Sequence, residues 1–203
     1  KFLPPEGTGV GERAESGEGS TDPATLVPES RYTPISDGEE IVTQGATMRA
    51  VHTPGHAHDH VVLYIQEEGS LITGDNVLGV GTAVFKDLPL YLDSLQRMLA
   101  LEPRRLYPAH GPSVDGEAAP ERLREYIRHR RTRVDQVAAH LAAAAAPQTP
   151  GEIVAGVYGD LPNPALVFGA TNNTLQVLRV LQREGRVREV EDGAWAAVPK
   201  ADL

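Results

Sequence analysis

Three times the chain runs through a short apolar stretch and breaks off at a residue able to bind a cation, flanked by Gly or Pro. The segments are Thr53-Pro54-Gly55-His56, Thr73-Gly74-Asp75 and Tyr107-Pro108-Ala109-His110-Gly111-Pro112. Glycine permits positive φ and a close backbone approach, and proline stiffens the chain beside it. Strands of one sheet end near each other, so ligands carried on strand ends can converge although they lie far apart in sequence. Two imidazoles and a carboxylate suit Zn²⁺, and also Fe or Mn. The chain has no cysteine, so a metal has only His, Asp and Glu to use and disulfides are excluded. A lone His in a turn is ordinarily a surface or capping residue. Three ordered motifs, each behind an apolar strand, make His56, Asp75 and His110 a candidate ligand set.

The remaining periodicities complete an α/β pattern. Ile41-Val42 and the alternation of Met48, Ala50 and His52 predict two strands with a hairpin turn near Gly45. Residues 60–66 and 70–73 predict two more, the second ending at Gly74-Asp75. Leu88, Tyr91, Leu92, Leu95 and Leu99 fall at helical spacing and predict a helix over 89–100, closed by Pro103. A short strand at 106–108 and a long helix from about Pro120 to Ala146 follow. Beyond Pro147, Ile153, Val154 and Val157 mark one helix, and Leu175, Leu178 and Leu181 another. Two short strands around Asp192-Gly193 make a hairpin. Helix, helix, hairpin is the order of a winged helix.

Charge narrows the partners. The net −9 belongs to residues 1–80, which hold 4 Lys and Arg against 13 Asp and Glu, whereas residues 81–203 hold 15 of each. Such a chain repels polyanions at long range. No run approaches the roughly 18 apolar residues of a membrane span, so no membrane partner is expected. Residues 4–38 are rich in Gly, Pro, Ser, Thr and Glu, bury too little to offset ordering entropy, and read as a long loop. The opening Lys1-Phe2-Leu3-Pro4-Pro5 has neither an initiator Met nor a signal-peptide pattern, so a processed or truncated chain is expected.

The run TPGHAHDH…LITGDNVLGVGTAVFKDL…SLQRMLALEPRRLYPAHGP resembles the metallo-β-lactamase superfamily. More narrowly it is similar to the beta-lactamase-like protein 2 branch, which includes animal endoribonucleases and fungal thioesterases. The resemblance spans about residues 40–135, and GxGTxVFxDL at 79–88 is its most specific part. It implies the C-terminal part of an αββα sandwich in residues 1–116, then a linking helix and winged-helix domain in residues 117–203. It also implies two zinc ions, with His56 and His110 each completing one shell and Asp75 bridging both as the catalytic carboxylate. The other ligands of that family come from an HxHxDH motif, which this chain lacks. His56-Ala57-His58-Asp59-His60 belongs to the later TPGH motif, so His58 and His60 are expected to pack beside the ligands. The family places the missing motif N-terminal to Lys1, and three ligands alone would hold at most one metal weakly. The implied mechanism is attack by a metal-bridging hydroxide on a carbonyl or phosphorus.

Residues 121–134 hold six Arg against two Glu. Arg128, Arg130 and Arg131 are therefore candidate contacts for single-stranded RNA, through base stacking and phosphate pairing. The plainer reading is a solvated helix face with intrahelical pairs such as Arg122–Glu125. Three functions follow as expectations: an endoribonuclease on single-stranded RNA, placed first; a thioesterase acting on an acyl or polyketide carrier-protein thioester; and a non-catalytic remnant serving as an interaction module. A homodimer and an intracellular compartment, mitochondrial matrix or cytoplasm, complete them; the absence of cysteine is consistent with a reducing compartment.

Overall fold

A computed structural model describes residues 33–199. Of the expected 4–38 loop, residues 4–32 lie outside the described residues, and 33–38 form neither helix nor strand. Six strands make one sheet in sequential order: β1 (Glu40–Thr43), β2 (Ala46–His52), β3 (Val61–Ile65), β4 (Ser70–Gly74), β5 (Arg105–Pro108) and β6 (Val114–Asp115). The first four form an antiparallel meander. Helix α1 (Leu88–Leu99) then carries the chain over to β5, which pairs parallel with β4. The predicted strands and α1 are all present. The two-residue β6 gave no sequence signal; it forms because Arg105 and Leu106 pair with Asp115 and Val114, and Arg105 bridges Asp115.

One face of the sheet carries the core. Cross-strand register aligns Val51 with Val62, and Tyr64, Leu71 and Leu106 continue the same face. These residues meet Leu88, Tyr91, Leu95 and Met98 of α1, and Leu123 of the next helix, in one buried cluster. The opposite face aligns Ile41, Met48 and Ile65, and beside them Leu63, Ile72 and Tyr107, none of which joins that cluster. Helix α1 is started by Asp87, whose carboxylate accepts from the Leu90 N–H, which satisfies one of the helix's unpaired first-turn donors.

Helix α2 (Ala118–Ala143) runs under the sheet and beyond it. It starts two residues before Pro120, which is tolerated there because the first-turn N–H groups make no intrahelical bond. It stops at Ala143 rather than Ala146, since nothing after Leu141 is buried to hold a further turn. Helix α3 (Pro150–Tyr158) opens with a capping box between Thr149 and Glu152. Helix α4 (Pro164–Arg183) opens on Asn163, whose side chain accepts from the Leu166 N–H. Strands β7 (Val187–Glu189) and β8 (Trp195–Ala197) form the expected hairpin, with Asp192 and Gly193 both at positive φ. The chain turns at Gly116 into α2, and the buried cluster runs across this turn from Val51 to Trp195. No helix among the described residues is long and apolar enough to cross a membrane.

Candidate metal centre

Strands β2 and β4 run in the same direction, separated by antiparallel β3, and β5 is parallel to β4. Their C-terminal ends therefore share one edge of the sheet. His56 follows β2, Asp75 follows β4 and His110 follows β5, so topology alone brings the three loops together. Backbone bonds tie them: Ala109 N–H donates to the Gly74 carbonyl at 3.1 Å, and Gly79 N–H to the His110 carbonyl at 2.8 Å. The buried Asn76 amide donates to the Thr53 carbonyl at 2.8 Å and so joins the Asp75 turn to the His56 loop. Gly55 makes the approach sterically feasible. Its φ is +130°, and a Cβ there would lie 2.4 Å from the Tyr91 Cα.

Asp75 is the centre of the cluster. His110 Nε2 lies 3.4 Å from Asp75 Oδ1, and His56 Nε2 lies 4.0 Å from Asp75 Oδ2. Two ligands of one tetrahedral Zn²⁺, each about 2.0–2.1 Å from the ion, stand roughly 3.4 Å apart, so the His110–Asp75 spacing matches shared ligation. Three features bear on whether a cation fits. The donor set is two imidazoles and one carboxylate. Asp75 Oδ1 is buried and accepts no hydrogen bond, an unfavourable state that a cation would relieve. His56 Nδ1–H donates to the Val84 carbonyl at 2.7 Å, the usual outer bond of a metal-ligating histidine, and Nε2 is the ring nitrogen turned toward Asp75. The residues fit a cation, as part of a larger shell. They form two pairs meeting at Asp75 rather than a closed cage, and no group of three His, Cys, Asp or Glu among the described residues is arranged to hold an ion by itself.

His60 lies beside His56. Its ring is edge-on to His56 with centroids 5.9 Å apart, and its Nδ1 is 2.9 Å from the Thr53 hydroxyl. Burial, with a smaller contribution from His56, lowers its pKa from 6.5 to about 4. Gly74, at φ +55°, leaves room for it: a Cβ there would be 2.8 Å from His60 Nε2. His58, by contrast, is exposed, and its carbonyl accepts from His52 Nε2.

The expected RNA-gripping face fails at Arg130. That residue lies on the core side of α2 with Leu123, Tyr126, Ile127 and Val137, and is only 3% exposed. Its guanidinium donates to the Thr82 hydroxyl and to the Ala83 carbonyl, and it stacks over Phe85, Tyr91 and Tyr126 with centroid distances of 5.1–5.7 Å. The reason is angular: positions 123, 127, 130 and 137 share one helical stripe, whereas 128 and 131 point away from it. Arg128 and Arg131 are exposed, and Arg128 pairs with Glu121 at 2.8 Å. Arg124 pairs with Glu121, and Arg122 with Glu125, the intrahelical pattern of a solvated face.

Asn172 and Asn173 are site residues that the sequence reading missed. Asn173 accepts from the Phe85 N–H at 3.2 Å and donates to the Ala83 carbonyl at 3.3 Å, while Asn172 donates to the Phe85 carbonyl at 2.8 Å. A signal existed: Ala170, Asn173, Val177 and Leu181 lie on one helical stripe, so Asn173 occupies a core position. The loop and α4 also expose apolar side chains. Val84 is 37% exposed, and Leu166, Val167 and Phe168 of α4 are exposed, Phe168 by 75%. Gly169 packs against the Val84 side chain.

Residues 2–110 match the metallo-beta-lactamase superfamily, and residues 149–195 match the beta-lactamase associated winged helix domain. The chain is 41% identical over 168 residues to Lactamase-like protein vrtG of Penicillium aethiopicum, covering 79% of this chain and 53% of that protein. It is 40% identical over 157 residues to the Beta-lactamase-like protein 2 homolog of Caenorhabditis elegans, covering 77% and 52%. Among solved structures, a metallo-beta-lactamase family protein from Thermus thermophilus superposes with a TM-score of 0.66 at 28% identity, covering 81% of this chain and 54% of that one. A beta-lactamase domain protein from Burkholderia ambifaria gives 0.72 at 25% identity, covering 85% and 54%. The chain spans about half the length of the curated relatives it matches.

Proposed function

The chain belongs to the metallo-beta-lactamase superfamily and ends in its associated winged helix, and from that premise we propose that it forms part of a metal-dependent hydrolase site acting on acyl thioesters. His56 through Nε2, Asp75 and His110 would hold the cation, with zinc the best match to two imidazoles and a carboxylate. Bound there, it supplies an acidified water and a Lewis acid for a carbonyl oxygen. The chain's own residues prepare that chemistry. The Val84 carbonyl fixes the His56 tautomer, and Asn76 holds the Asp75 turn against the His56 loop.

One observation carries the choice of substrate. The site loop exposes Val84, whose carbonyl meets His56, and α4 exposes Val167 and Phe168 next to Gly169, which lies beside the Val84 side chain. An acyl chain gains from covering such a surface; a phosphodiester does not. The acidic charge of residues 1–80 also disfavours RNA. The endoribonuclease reading keeps Arg128 and Arg131 but loses Arg130.

The test is hydrolysis of simple acyl thioesters, beside cleavage of single-stranded RNA, by the full chain supplied with Zn²⁺ or Mn²⁺. Thioester turnover is expected, and Asp75→Asn should reduce it by more than about 100-fold, beyond the loss typical of an outer-shell change. Charge reversal at Arg128 and Arg131 should leave it unchanged. RNA cleavage with a steep salt dependence, lost on that charge reversal, would establish the ribonuclease instead. No turnover of either substrate, with less than one metal bound, would overturn the reading that these residues support hydrolysis in this chain.

A further inference from the structure

The loop between Asp75 and α1 carries the carbonyl that orients His56, and three polar side chains from the C-terminal half of the chain hold that loop. Arg130 of α2 grips Thr82 and Ala83. Asn173 of α4 bonds Ala83 and Phe85 on either side of Val84, and Asn172 adds the Phe85 carbonyl. Val84 itself is thus bracketed on both sides, with its own carbonyl turned to His56 Nδ1. Asn173 is 6% exposed and Arg130 3%. A buried amide and a buried guanidinium are costly to place unless they are bonded, and here most of their bonds go to this single loop.

We propose that Asn173, with Asn172 and Arg130, is a positioning residue for the metal ligand His56, acting through the Val84 carbonyl. The winged helix is therefore a wall of the hydrolase site. Its link to the ligand runs Asn173 to Ala83 and Phe85, then Val84 to His56. An amide is required at 173 because the position both donates and accepts. Aspartate would keep the bond from Phe85 N–H but set a carboxylate oxygen against the Ala83 carbonyl. The consequence for metal binding rests on His56 being a ligand; the consequence for its tautomer does not.

The two are read separately. In the metal-free full chain, nitrogen NMR of the imidazoles reports which ring nitrogen of His56 carries the proton. The native chain is expected to show Nδ1–H. Asn173→Ala and Asn173→Asp should shift His56 toward a mixture of tautomers, and the milder Asn172→Ala, at a half-buried position, should do so in part. Leu178→Ala on the same helix, buried but away from the loop, serves as the control for lost stability and should leave His56 as it is. Titration with Co²⁺ should then show about tenfold weaker binding in the Asn173 variants, in the range for outer-shell partners, with a changed d–d spectrum. An unchanged His56 signal in all three Asn variants overturns the proposal, as does an equal change in Leu178→Ala. A shifted tautomer with no Co²⁺ bound by any variant, native chain included, supports the clamp and removes the metal reading.

Discussion

A neutral imidazole packed against His56 is the residue-scale feature with the clearest consequence in solution. His60 holds its proton only below about pH 4, because burial disfavours the charged ring. Between that value and the unfolded value near 6.5, the unfolded chain binds a proton that the folded chain refuses. His60 therefore contributes stability that is complete above about pH 6.5 and is lost as the pH falls toward 4, by up to about 3 kcal/mol. Urea unfolding of the metal-free chain across that window should show the decline, and His60→Gln should flatten it. An equally steep decline in the variant would assign the effect to other groups. His60 was expected to pack beside His56 because it follows the TPGH motif and opens the next strand. The sequence did not reveal Arg130 as buried, because a guanidinium reads as surface unless its helical stripe is followed. Nor did it reveal Asn172 and Asn173, whose loop partners lie nearly ninety positions away.

At the scale of elements, the strands at β2, β4 and β5 were legible because each ends in a Gly- or Pro-marked turn. The caps of α3 and α4, Thr149 and Asn163, each stand directly before a Pro in the first helical turn. Strand β6 was not legible, since two residues carry no period and its pairing is decided by β5. The register separates two neighbours on β4 that composition cannot tell apart. Leu71 is fully buried under α1 and α2, whereas Ile72 is 37% exposed on the opposite face. Leu71→Ala should cost about 2–5 kcal/mol and Ile72→Ala about 1 kcal/mol, because more than a third of the Ile72 surface already meets water. Denaturant midpoints of the two variants measure the difference. Similar losses at both positions would mean that the second face is covered as thoroughly as the first.

The whole molecule behaves as its longest helix dictates. At 26 residues α2 is about 39 Å long. Its first half packs Leu123, Tyr126, Ile127 and Arg130 beneath the sheet and against the site loop. Its second half packs Val137 and Leu141 in the same buried cluster as Ile153, Leu178 and Trp195. The chain's single Trp is held in the hairpin by paired backbone bonds to Gln148, whose side chain meets His140 of α2. A winged helix folding on its own would need a boundary in α2 across which few contacts pass, and the buried cluster leaves none. Trp195 fluorescence, which reports the hairpin, and far-UV circular dichroism, which reports all helices and strands, should therefore change at the same denaturant concentration with the same steepness. Two separated transitions, with fluorescence moving first, would show that the hairpin and its helices open independently of the sheet. In that event Asn173 would release the Val84 loop while the sheet stayed folded, and the His56 ring would lose its orientation before the protein lost its core.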